Sequence, residues 1–70
     1  MTLNERMSDL AIEAYVEWRV LCAAVQEAYD HWARVPREQA AAAFLHYRWA
    51  LDQEERSSLE YARVVGVVSA

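Results

Sequence analysis

Seventy residues contain one glycine, one proline, one cysteine and no lysine. The scarcity of glycine and proline leaves almost no turn chemistry, which excludes hairpin-rich β folds and glycine-rich phosphate loops. A single cysteine, Cys22, excludes a disulfide framework and zinc-finger spacing. On an apolar helix face it reads as a small core hydrophobe and not as a nucleophile. Seven arginines stand against eleven acidic residues, a net charge of −4, the wrong sign for a surface that grips nucleic acid. Unbroken apolar runs stop at six residues, Val20–Val25 and Ala40–Leu45, against the roughly 20 that a membrane helix needs. The first residues carry Glu5, Asp9 and Glu13 where a signal peptide has a basic start and an apolar stretch. The expected location is the cytoplasm, with neither membrane nor nucleic acid as partner.

What is present is apolar surface at helical spacing. The hydrophobic fraction is 56%, above the usual level of about 45–50%. Leu3, Met7, Leu10, Ala14, Trp18, Leu21, Val25, Tyr29 and Trp32 recur at three- and four-residue steps, one face of a helix. The steps fit a repeat of eleven residues better than one of seven, which predicts a nearly straight helix and not a leucine-zipper seam. Thr2 and Glu5 have the spacing of a capping box at its start. The helix is expected over about 3–34, ending where Pro36 disfavours helical geometry at Val35. His31 and Arg34 set positive charge at its carbonyl end.

A break of about residues 34–36 makes the next helix an antiparallel neighbour. That second helix is expected over about 36–65, with Pro36 in its first turn, Gly66 as its cap and a short apolar tail beyond. Its inner face reads Ala40, Ala43/Phe44, Tyr47, Ala50/Leu51, Glu54, Ser58, Tyr61/Ala62 and Val65. The fold class is therefore all-α, a single-domain antiparallel helical hairpin over 1–70. Its expected core joins Trp18, Leu21, Cys22, Val25, Tyr29 and Trp32 of the first helix to Phe44, Tyr47, Leu51 and Tyr61 of the second.

Each helix also carries apolar residues away from that core. The first has Ile12, Val16 and Val20; the second has Leu45 and Trp49. Apolar residues on two sides of a helix mean burial on two sides. A chain this short, without disulfide or metal, commonly gains stability by oligomerisation. These five residues are therefore the expected interface of a homodimer, two hairpins making a four-helix bundle.

Chemistry-bearing residues are few. If Val35 and Pro36 meet at the turn, residues whose numbers add to about 71 lie at one level, which sets Glu54 beside Trp18. A buried indole N–H wants an acceptor and a buried carboxylate wants donors, so a structural Trp18–Glu54 pair is expected. His31 and His46 lack the Glu-x-x-His context of di-iron bundles, since Ala28 and Ala43 stand three positions before them. Glu5, Asp9, Glu13 and Glu17 form an acidic ridge that Arg56 or Arg63 would neutralise, and Arg48, Asp52, Arg56 and Glu60 alternate in sign at helical spacing. No catalytic constellation, metal site or cofactor cradle is assembled. The size and pattern are similar, at the level of fold only, to small bacterial helical-hairpin chaperones and regulatory adaptors. The expected function is a non-enzymatic interaction module, self-associating and holding a partner helix. Two alternatives stand beside it. One is a small-molecule or metal-binding bundle using Glu54, Tyr47, Tyr61 or His46. The other is an antitoxin-like or transcriptional regulator acting through protein contacts.

Overall fold

The computed structural model describes residues 3–69, with side chains from Glu5 to Val67. Thr2, one half of the expected capping box, and Ala70 lie outside the described residues. Helix α1 spans Leu3–Arg34, a 3-10 turn spans Arg37–Gln39, and helix α2 spans Ala40–Ser69. The two long helices pack antiparallel as a hairpin whose Cα atoms extend over 55 × 15 × 12 Å.

The connection follows from the chemistry of Pro36. The last α-type bond runs from the Val35 N–H to the His31 carbonyl at 3.0 Å, and proline has no N–H with which to continue. Pro36 itself is extended, with φ −59° and ψ 157°. Its carbonyl then accepts from the Gln39 N–H at 2.9 Å, and the Ala40 N–H closes on the Arg37 carbonyl. These tight bonds make a 3-10 turn, so α2 begins at Ala40 and not at the expected Pro36.

The far end also differs from expectation. Gly66 does not cap α2; the helix runs through it to Ser69, and no described glycine takes a positive φ. A glycine cap needs the left-handed conformation. Val64 and Val67 instead line a shared groove with Met7 and Leu10 of α1, which gives the last turns of α2 a tertiary partner.

The seam between the helices is made of small side chains. The buried residues are Ala14 and Ala28 on α1 and Ala43, Ala50 and Ser57 on α2, with Ala28 and Ala50 each only 3% exposed. With half-buried Leu21 between the α1 alanines, both series repeat every seven residues: 14, 21, 28 and 43, 50, 57. The eleven-residue step therefore describes the apolar stripe of α1 but not its contact line. Ala28 and Ala43 line one groove together, as do Ala14, Leu21 and Ser57 another, so the two series face each other at matching levels. Alanine and serine at the crossing let the backbones approach closely, and the large side chains are displaced to the flanks. The expected core is corrected accordingly. Trp18, Leu21, Cys22, Val25, Trp32, Tyr47 and Tyr61 are half-buried, while Tyr29, Phe44 and Leu51 are exposed. Ser57, not Ser58, is the buried serine, and the Ser58 hydroxyl donates to its own helix at the Glu55 carbonyl, 2.8 Å away. Ala62 is exposed and Val64 takes its place on the inner side.

Candidate interaction surface

The seven-residue seam sorts every other side chain by its offset. Residues one and four positions after a seam residue turn to one side of the hairpin, on both helices. On α1 these columns are Tyr15, Cys22, Tyr29 and Trp18, Val25, Trp32; on α2 they are Phe44, Leu51, Ser58 and Tyr47, Glu54, Tyr61. The ring contacts confirm that the columns meet. Near the turn, Trp32 stacks on Tyr47 (centroids 5.7 Å, 12° between planes) and lies 5.0 Å from Phe44, while Tyr29 meets Tyr47 edge-on at 5.6 Å. Towards the open end, Trp18 stacks on Tyr61 (5.6 Å, 14°), with Tyr15 edge-on to Trp18 and tilted against Tyr61.

Between these clusters sits the polar pair. The Trp18 Nε1–H donates to Glu54 Oε1 at 2.7 Å, and the Cys22 thiol lies 3.9 Å from the same oxygen, a weak second donor. The structure thus brings together Trp18 and Glu54, placed side by side by the level argument. Among the described residues no buried side-chain nitrogen or oxygen lacks a hydrogen-bond partner.

This side is incompletely covered. Tyr15 and Tyr29 are 44% and 46% exposed, and Phe44 and Leu51 are 38% and 37% exposed. No large side chain in the described chain is fully buried.

Residues two positions after a seam residue point away from the partner helix. Val16 follows Ala14 and Leu45 follows Ala43 at this offset, so Val16 faces outward from α1 and Leu45 outward from α2. Ile12, Val16 and Val20 are all exposed, and so are Leu45 and Trp49. The stripes lie on the backs of two helices that face one another, so Val16 and Leu45 look in opposite directions. The five residues of the expected interface therefore form two patches, one on the back of each helix. A single two-fold contact cannot be centred on both, because each back faces away from the other.

The remaining side is polar. Residues three positions after the seam include Glu17 and His31 on α1 and His46, Gln53 and Glu60 on α2. Both histidines, with Glu27 and Glu38, line an open groove of about 600 Å³ beside the turn. His46 stacks on Trp49 with ring centroids 5.9 Å apart. Among the described residues no group of three or more His, Cys, Asp or Glu side chains is placed to hold a metal. Of the residues of the ligand-binding alternative, Tyr47, Glu54 and Tyr61 share the aromatic side and His46 lies on the polar one.

The charges pair mostly within helices. Arg63 binds Glu60 through two nitrogens, with Nε at 3.0 Å from Oε2, and Arg56 lines a groove with Glu17 of the acidic ridge. The hydrogen bond from Arg63, helped by its charge, holds the Glu60 carboxyl below its ordinary value. The same bond raises the Arg63 guanidinium. On α1, Gln26 donates to Asp30 at 3.1 Å and Arg34 to the Asp30 carbonyl at 3.1 Å.

No described helix is long and apolar enough to cross a membrane. Compared with known protein families, curated proteins and solved structures, the chain matches none of them.

Proposed function

We propose that this chain is a non-enzymatic protein–protein interaction module that works as a homodimer in the cytoplasm, as an adaptor, chaperone-like or regulatory protein. One observation carries the reading: among the described residues the hairpin buries only four alanines and one serine, and no large side chain completely. Small side chains supply little transfer free energy, about 0.8 kcal/mol per buried methylene-sized group. Two long helices held by such a seam are short of core, and association covers what folding leaves open. A second copy would complete a four-helix bundle, and an outward apolar patch such as Ile12, Val16 and Val20 would remain to seat a partner helix.

The test is the solution mass by light scattering across a dilution series. The expected mass is twice the 8.1 kDa of one chain, with a melting temperature that rises with protein concentration. A monomer that unfolds cooperatively, at a temperature independent of concentration, overturns the proposal.

A further inference from the structure

We infer that the outward stripe of α1, where Ile12, Val16 and Val20 run beside Asp9, Glu13 and Glu17, is a docking site for a basic amphipathic helix of another protein. This rests on the interaction-module reading and names the chemistry of the partner.

The stripe has no role inside the hairpin. Ile12, Val16 and Val20 are 61%, 54% and 62% exposed, more than any ring on the aromatic side. Branched side chains of this kind are among the weaker helix formers, so three of them facing solvent lower the stability of α1 without packing against anything. They stand four residues apart and make a single ridge along the helix. Asp9, Glu13 and Glu17 each stand three residues before one of them and make the adjoining ridge. All three carboxylates are exposed, and among the described residues none of them has an ion pair. Arg6 shares an open groove with Asp9 and Glu13, and Arg56 shares one with Glu17, but neither bonds to them. Like charges at four-residue steps repel, which is a second local cost to the helix. One partner relieves both, with apolar side chains on the aliphatic ridge and cations against the acidic one.

The occupant follows from the shape and the sign of the charge. The back of one helix is convex, whereas a small molecule needs a concave pocket. A second helix laid along it, with apolar residues at i, i+4 and i+7 and arginine or lysine on one flank, meets both ridges at once. Nucleic acid and an anionic lipid surface carry the same sign as the acidic ridge and are repelled. A second copy docked two-fold on this stripe would bring the same excess of acid to it.

The test uses a fluorescent designed peptide of roughly 18 residues, with leucines on one face and lysines along its flank, and a matched peptide with glutamates in place of the lysines. The protein is expected to bind the lysine peptide more tightly by about tenfold or more, with an affinity that falls as salt rises. Val16→Asp should lose that binding and Glu13→Lys should weaken it about tenfold, while Leu45→Asp, on the back of α2, leaves it unchanged. In wild-type protein the methyl signals of Ile12, Val16 and Val20 should shift on adding the peptide and stay fixed when the protein alone is diluted. No preference for the lysine peptide, or binding that survives Val16→Asp and is lost in Leu45→Asp, overturns the site. Methyl shifts that follow protein concentration without peptide assign the stripe to a second copy and overturn it as well. The solution mass decides the homodimer separately. A wild-type dimer that shows no peptide preference leaves the homodimer standing without this site, and a wild-type monomer that binds the lysine peptide at Val16 supports the site and overturns the homodimer.

Discussion

The indole of Trp18 and the carboxylate of Glu54, 36 residues apart in sequence, meet in a 2.7 Å hydrogen bond that ties α1 to α2. With the weaker contact of the Cys22 thiol to the same oxygen, it is a polar tie beside a seam of small side chains. Because a hydrogen bond has a direction and a length, it selects a register that sliding alanine surfaces do not.

Removing the donor tests this. Trp18→Phe keeps most of the apolar area but leaves Glu54 with only the Cys22 thiol, 3.9 Å away. The expected cost is about 1–2 kcal/mol in urea unfolding, with Glu54→Gln costing less because a carboxamide oxygen still accepts the bond. Equal stability of Trp18→Phe and wild type would show that the pair contributes nothing to the hairpin.

The seam itself should reject larger side chains. Ala28 and Ala50 are 3% exposed and stand where the helices come together. Ala50→Leu forces the backbones apart and is expected to cost about 1–3 kcal/mol. Leu59→Ala, at an exposed position on the outer side of α2, should change stability by less than about 0.5 kcal/mol. Circular-dichroism melts of the two variants compare them directly.

Gly66 sits inside α2 with nothing within 4 Å of where a Cβ would be, and without a positive φ. Gly66→Ala should therefore stabilise the helix by about 0.5–1 kcal/mol, through the lower entropy of the unfolded chain. A destabilised Gly66→Ala protein would mean that Gly66 caps the helix in solution after all.

The Glu60–Arg63 pair gives a pH expectation. The Glu60 carboxyl is held below its ordinary value by the Arg63 hydrogen bond. Its small contribution is present above the unfolded value and lost as pH falls through the lowered one. Both groups are solvent-exposed, so the effect should shrink with added salt. A carbon-detected titration of Glu60 in wild type and Arg63→Gln reads it: the midpoint should rise in the variant.

Much of this was legible in the residues. Two long helices follow from the three- and four-residue spacing of Leu3 to Trp32 and from the near absence of glycine and proline. The single Pro36 locates the break, and a short break forces antiparallel neighbours. Trp18 and Glu54 come together for the same reason, since the turn sets which residues share a level. The contact line was less legible. Large rings on a helix face read as core, so Tyr29, Phe44 and Leu51 were expected inside. The weaker signal was Ala14 and Ala28, and Ala43, Ala50 and Ser57, spaced by sevens or twice seven within each helix, small residues that hydrophobic spacing alone passes over.

The sequence by itself determined local geometry, because backbone sterics, proline's missing N–H and helical periodicity act over a few residues. Only the tertiary structure decided which side of each helix faces the other. That choice compares whole surfaces: a close seam of alanines brings two backbones together along their length, and the rings are then pushed to one flank. It also showed that Val16 and Leu45, alike in composition and spacing, look in opposite directions. Which way a helix turns its face depends on its neighbour, and the spacing of large apolar residues along one chain does not set that rotation.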